Sequence, residues 1–403
     1  MTNGILAALR FRDFRLLWAG LVISNLGTWM QFTSLGYAVS TIAQTPHLAA
    51  LYLGFMGAAR AIPVLALSPL AGVVADRYPR RLTLVFTNVT MSLAALAFAI
   101  LSSLHRLDLL SILIITAANA AANSFDSPVR QSWTPLLVER EYIGNAIGLT
   151  SVAFNAPAVI GPAIAGLLIP WIGVEGSFYV NAVATLAVIV AIAMMRPSPP
   201  TSTGREPMLR SIGDGLAFIA RHPILKWIVG VFVVTAMLTR PYAQLIPAYV
   251  INTLGGDARM LGWAVAAAGI GGFGGALVTA SFGARRSLQW VIAGVAMSAG
   301  VLVLGVIHNA WLTLPFFFII GLGTLAFLGA CNTLIQTLAP DEMRGRAVSV
   351  YTMVALGVVP GGSLILGSIA SLIGLHLAFI FAGAIVLVLV LLGYALNPVV
   401  RSV

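Results

Sequence analysis

A chain of 403 residues could hold two or three soluble domains, but this one is 59% hydrophobic and 8% charged, whereas soluble domains carry roughly 45–50% apolar and about 25% charged residues. That composition excludes soluble domains and leaves a polytopic membrane protein. The formal net charge of +10 is therefore read against a membrane rather than against nucleic acid.

Twelve stretches are apolar over the roughly 20 residues needed to cross a hydrocarbon core of about 30 Å as helix. In chain order they run approximately 14–41, 49–75, 82–104, 108–128, 143–170, 176–195, 224–252, 259–282, 288–307, 311–337, 347–372 and 375–396. The first is too long for a signal peptide and lacks a small-x-small cleavage site, so it is expected to stay as the first helix. With the amino terminus in the cytoplasm, every Lys and Arg except Arg60, Arg106, Arg240 and Arg259 falls on the cytoplasmic side. This is the positive-inside bias, and it places both termini in the cytoplasm. The single Cys331 excludes an intramolecular disulfide.

Between the sixth and seventh stretches lies RPSPPTSTGREP, Arg196 to Pro207, too rich in Pro, Ser and Thr for a helix. Leu209, Ile212, Leu216 and Ile219 then recur at helical spacing, with Arg210, Asp214 and Arg221 opposite them. The spacing predicts a short amphipathic helix lying on the cytoplasmic membrane surface. The expected organisation is a first bundle of six spans over 1–195, a linker over 196–223 and a second bundle over 224–403.

The two halves echo each other. GVVADRYPRR, Gly72 to Arg81, sits between the second and third stretches, and Arg285-Arg286 sits between the eighth and ninth at an offset of 205 residues. Gln131 and Pro135 match Gln336 and Pro340 at the same offset of 205. Two such repeats, related by an axis along the membrane normal, occur in one large class of transporters.

On these residues the chain resembles the major facilitator superfamily over essentially its whole length. The superfamily's loop signature G-x-x-x-D-R-x-G-R-R/K is met by Gly72, Asp76, Arg77, Arg80 and Arg81, with Pro79 in place of a glycine. FRDFRLLWAGLVISNLGTWMQ, SFDSPVRQSWTPLLVERE and PDEMRGRAVSVY are similar to the bacterial group of enterobactin exporters and drug-efflux-like proteins. The resemblance implies an all-α fold of twelve transmembrane helices in two pseudo-symmetric six-helix bundles. In the fifth span, Gly148, Gly161, Pro162 and Gly166 resemble the antiporter signature, with Pro157 where a glycine is usual, and Gly357, Pro360 and Gly361 are a counterpart in the eleventh. Small residues there let helices approach closely, whether for packing alone or to set direction.

The resemblance also implies a cytoplasmic gate. Asp76 would cap the amino terminus of the eleventh span, where a carboxylate gains roughly 0.3–1 kcal/mol. Arg80 would pair with Asp126, and Arg130, Arg285, Arg286 and Arg344 complete the charged set. By resemblance spans one, four, seven and ten line the cavity. Their polar candidates are Asn25, Thr28, Trp29 and Gln31, then Asn119 and Asn123, Tyr242 and Gln244, and Asn332 and Gln336. Each has interhelical hydrogen bonding as its competing role.

Two arginines lie deep in spans. Arg240 falls near the middle of the seventh, where an arginine costs roughly 2.5–3.5 kcal/mol to insert and so faces water, a partner or a substrate. It contacts either an anionic ligand or backbone carbonyls. Arg60, in the second span, either meets substrate or satisfies the carbonyl freed by Pro63. All acidic residues are expected in loops or at span ends, which favours anionic or neutral cargo and leaves protons as a candidate coupling ion only. Gly269-Ile270-Gly271-Gly272-Phe273-Gly274 satisfies G-x-G-x-x-G but sits inside an apolar span with no preceding strand, so it is a packing face. The histidines show no metal or catalytic spacing, and no cofactor or enzymatic activity is expected.

The expected function is secondary transport by alternating access in the bacterial inner membrane, exporting an amphipathic metabolite, siderophore or drug. The alternatives are uptake of a polar nutrient and a non-transporting sensor or assembly partner. The expected partners are the bilayer and a small solute, with no nucleic acid and a monomeric state.

Overall fold

The structure, a computed structural model, describes residues 4, 6–196, 208–281 and 286–396. Among them there is no strand. With no water in a bilayer core, the helix lets each segment satisfy its own backbone groups. The helices are α1 (Arg12–Ile42), α2 (Pro46–Arg77), α3 (Arg80–Ser103), α4 (Leu109–Trp133), α5 (Ile143–Met194), α6 (Met208–Arg221), α7 (Leu225–Leu238), α8 (Tyr242–Pro247), α9 (Ala258–Ser281), α10 (Arg286–Leu304), α11 (Ala310–Leu338), α12 (Asp341–Met353), α13 (Val359–Ile373) and α14 (Leu375–Leu396).

Nine helical segments among the described residues are long and apolar enough to cross a membrane. The expected twelve and these nine differ for identifiable reasons. The fifth and sixth stretches run on from one another as α5, whose 52 residues at about 1.5 Å each would span about 78 Å if straight. It turns at Gly173, whose φ of 67° and ψ of 179° are non-helical. That left-handed φ needs glycine, since a Cβ would also collide with the Glu175 side chain. The eleventh stretch is divided into α12, a π-helical turn at Val354–Val358, and α13. The first stretch, on α1, carries Asn25, Thr28, Gln31, Thr33 and Ser34.

The described chain forms two compact units. One comprises Met1–Ala38 with Ala59–Gly204, the other Val39–Ala58 with Arg205–Val403. In the first, α3 packs on both α4 and α5. A core of Leu17, Leu21, Leu84, Val129, Trp133 and Val188 closes one end. In the second, α11 packs on α9 and α10, and α10 on α14. The α9–α11 crossing is so close that a Cβ on Gly271 would overlap the Phe318 carbonyl, and one on Gly321 the Ala268 carbonyl. The glycine run in α9 is thus the packing face its sequence suggested.

The turn between α1 and α2 belongs to the second unit. Asn252 donates to the Ser40 carbonyl at 2.9 Å, His47 Nδ1 donates to the Ser371 carbonyl at 2.7 Å, and Gly54 on α2 meets Gly367 on α13. The amphipathic segment is the helix α6, and part of its apolar side has a different neighbour from the expected membrane surface. Ile219 is buried against Leu225, Val229, Ile335, Ala347 and Val350, so this end of the apolar side is covered by protein. Residues 197–207 and 282–285, which hold Pro197 to Pro207 of the linker and Arg285, lie outside the described residues.

Candidate functional site

The two deep arginines occupy different chemical settings. Arg60 lies on α2, half-buried, with its guanidinium 5.2 Å from the centre of the Phe32 ring. Phe32 in turn meets Trp29 edge to face, with centroids 5.5 Å apart. Among the described residues Arg60 makes no hydrogen bond and no ion pair, and the carbonyl freed by Pro63 is not bonded to it. A cation over an aromatic face gains about 0.5–1 kcal/mol when exposed and about 2 when desolvated, and this leaves all five N–H donors for another acceptor.

Arg240 stands where the seventh stretch breaks. Helix α7 ends at Leu238 and α8 begins at Tyr242, and the Arg240 amide bonds back to the Thr235 carbonyl at 3.0 Å. Its Nη1 donates to the Ala355 carbonyl at 2.9 Å, inside the π-helical turn between α12 and α13. Tyr242 stacks on Phe317 with centroids 6.4 Å apart, and Tyr351 on Phe232 at 5.3 Å. Of the two roles open to Arg240, the structure fills the carbonyl-bonding one with a single hydrogen bond and gives its other donors no partner among the described residues.

Several polar candidates knit helices together. Asn25 donates to the Ala153 carbonyl at 3.1 Å. Gln31, 8% exposed, accepts from Asn181 at 2.8 Å, and Asn181 Oδ1 accepts from Thr28 at 3.4 Å. Gln336 donates to Asn332 at 2.9 Å, within α11. By contrast, Asn119 and Asn123, one turn apart on α4, and Gln244 on α8 make no side-chain hydrogen bond among the described residues.

The pairing of Arg80 with Asp126 is not formed. Asp126, 3% exposed within α4, accepts from Thr87 at 2.9 Å and Asn88 at 2.8 Å on α3 and is ion-paired with Arg130 one turn along its own helix. Asp126 is thus a buried carboxylate in the last third of α4, the helix at whose cytoplasmic end it was expected. It is held there by an (i, i+4) partner and two neutral donors, which offset the cost of its burial. Thr87 and Asn88 were not anticipated; two adjacent polar residues in an otherwise apolar helix are the signal that could have found them.

Among the remaining gate residues, Arg81 donates to the Ala193 carbonyl at 2.7 Å, in the last turn of α5, where a cation suits the helix dipole. Arg286 donates to the Thr279 carbonyl at 2.6 Å and to Gln289 at 3.0 Å, and Gln289 donates to Thr279 and the Ala326 carbonyl. Arg344 donates to the Gln336 carbonyl at 3.1 Å. Arg80 is half-buried at the start of α3. The backbone of α2 runs through Gly72, Asp76 and Arg77, whose side chains lie outside the described residues, as does that of Pro360.

In α5, Pro157, Gly161, Pro162 and Gly166 are buried, and a Cβ on Gly161 would come 2.6 Å from that of Trp29. Gly148 and Gly361 would meet nothing within 4 Å, while Gly357 is buried. Two histidines far apart in sequence, His308 and His376, stack with ring centres 4.5 Å apart. Among the described residues no group of three or more His, Cys, Asp or Glu is placed to hold a metal ion.

A helical chain with nine segments among the described residues long and apolar enough to cross a membrane is multi-pass in form. The family described as transmembrane secretion effector matches residues 3–401, so the chain belongs to that family of the major facilitator superfamily. It is 27% identical over 358 residues to the multidrug efflux pump Tap of Mycolicibacterium fortuitum, covering 85% of this chain and 86% of that one. It is 26% identical over 317 residues to the enterobactin exporter EntS of Escherichia coli O1:K1 / APEC, covering 75% and 72%. A bacterial homologue of the human lysosomal transporter Spinster has the same fold, with a TM-score of 0.75, 15% identity and coverage of 97% and 98%. The chain is thus a transporter of small molecules, not an enzyme, in a bacterial membrane.

Proposed function

We propose that this transporter exports a small amphipathic solute that carries negative charge, by alternating access, with both termini in the cytoplasm. The observation that carries the reading is Arg60, a guanidinium at membrane depth with an aromatic floor and no acceptor of its own among the described residues. Inserting such a charge is costly, and an anionic cargo would offset that cost each time it binds. Asn119 and Asn123, on α4 of the same unit, make no side-chain hydrogen bond among the described residues and supply amide groups, and a few polar groups among apolar side chains are the make-up of sites for amphipathic ligands. Relatives that pump drugs and export enterobactin support outward transport of bulky solutes.

The charged segment at 72–81, the end of α2 and the start of α3, serves in this reading as a cytoplasmic latch, with Asp76 as its working carboxylate. The test compares cells with and without the gene for retained metabolites and for a fluorescent organic anion, at two external pH values. Greater retention of the anion without the gene is expected, and a pH-dependent difference would identify protons as the coupling ion. Greater uptake with the gene would instead mark an importer, and identical cells would mark a non-transporting protein.

A further inference from the structure

The second unit carries a groove whose lining residues are not among the candidate site residues. Lys226, Trp227, Gly230, Val231 and Val234 of α7 and Leu389 of α14 line a space of about 430 Å³. The α7 residues recur at a spacing that puts them on one helix face. Lys226, Trp227 and Gly230 are exposed along it, and a Cβ on Gly230 would meet nothing within 4 Å, so the floor of the groove is open at that point. From Lys226 to Val234 the helix rises about 12 Å at about 1.5 Å per residue, close to the depth of one leaflet of a hydrocarbon core about 30 Å thick.

The chemistry is graded along that length. At one end an exposed ammonium, which makes no ion pair among the described residues, stands on the first turn of α7, the positive end of the helix dipole. Beside it is a tryptophan, 37% exposed, a residue type that sits at the level of lipid headgroups. Beyond it every lining group is apolar or glycine, and among the described residues no acidic side chain lines the space.

We propose that this groove binds one anionic phospholipid of the surrounding bilayer, its phosphate on Lys226 and one acyl chain lying over Gly230 against Val231, Val234 and Leu389. Charge complementarity selects the occupant. A soluble peptide would leave the lower groove against lipid, and a free anion would use only the mouth. The site is independent of the cargo reading, because none of its residues belongs to the candidate transport site.

The experiment is native mass spectrometry of the purified transporter with phosphatidylglycerol or phosphatidylcholine of identical acyl chains. The wild type is expected to retain phosphatidylglycerol several-fold better. Lys226→Gln is expected to weaken retention of the first phosphatidylglycerol about fivefold, the scale of one basic residue at an anionic surface, and to leave phosphatidylcholine unchanged. Gly230→Leu, which fills open space, is expected to weaken retention of both lipids. Equal retention of the two lipids by the wild type, an unchanged preference in Lys226→Gln, or unchanged binding in Gly230→Leu would each overturn the proposal, as would displacement of the lipid by inorganic phosphate. Matching thermal unfolding of the lipid-free proteins establishes that the variants fold.

Discussion

Arg240 donates a hydrogen bond to the carbonyl of Ala355 at 2.9 Å, and both ends of that bond lie at breaks in helices. Arg240 follows the end of α7, and Ala355 belongs to the π-helical turn before α13. Such a turn displaces the regular ladder and leaves carbonyls without their usual donor. In lipid these cannot turn to water. One irregularity therefore supplies the donor that the other needs.

Arg240→Ala removes that donor, and an orphaned buried acceptor costs about 1–3 kcal/mol. The detergent-solubilised variant is expected to unfold at lower temperature, and Arg240→Lys, which keeps a donor, to recover part of the loss. Ligand binding separates this from a role in recognition. An anionic cargo losing more affinity than a neutral analogue places Arg240 in the site, and equal losses make it structural.

Asp126 and Arg130 form a buried pair, braced by Thr87 and Asn88. Removing one partner from such a pair costs about 3–5 kcal/mol, because the other charge is left uncompensated. Asp126→Asn and Arg130→Gln are each expected to lower the unfolding temperature strongly, and the double variant to fall well short of the sum. Additive losses in a double-mutant cycle would contradict the pairing.

Much of this was legible in the sequence, and the reason is the bilayer. Apolar runs are a direct consequence of the bilayer as solvent, so the helices and the close-packed glycine face of α9 followed without tertiary information. What could not be read is which neighbour each polar group finds. Asp126 bonds along its own helix and across to Thr87 and Asn88, choices set by helix rotation, which periodicity does not fix in a uniformly apolar span. Gln31 and Thr28 turn to Asn181 for the same reason. The attachment of Val39–Ala58 to the second unit rests on contacts between residues hundreds of positions apart, such as His47 with Ser371.

Asp76→Asn is expected to slow turnover while membrane insertion and solute affinity stay at wild-type levels. Transport by whole cells, normalised to the amount of protein in the membrane, reads the effect. An unchanged rate would remove Asp76 from the latch.

Asp108 caps α4. Its carboxylate accepts from the Ser111 amide at 2.8 Å, and the Ser111 hydroxyl and amide hold its pKa below the usual carboxylate range. A depressed carboxylate contributes stability that is present above its unfolded pKa and lost as pH falls through the lower, folded value. Hydrogen exchange at the Ser111 and Ile112 amides is expected to accelerate relative to mid-helix amides as pH drops through that lower range. In Asp108→Asn the pH dependence should vanish.

The central claim, that Arg60 and its aromatic floor select a negatively charged solute for export, is tested most directly by efflux from preloaded cells of two dyes that differ only in one negative charge. Wild-type cells are expected to expel the anion faster than its neutral analogue, and Arg60→Gln to reduce anion efflux selectively while the neutral dye leaves at its former rate. Anion efflux unaffected by Arg60→Gln, at equal protein in the membrane, would contradict the account.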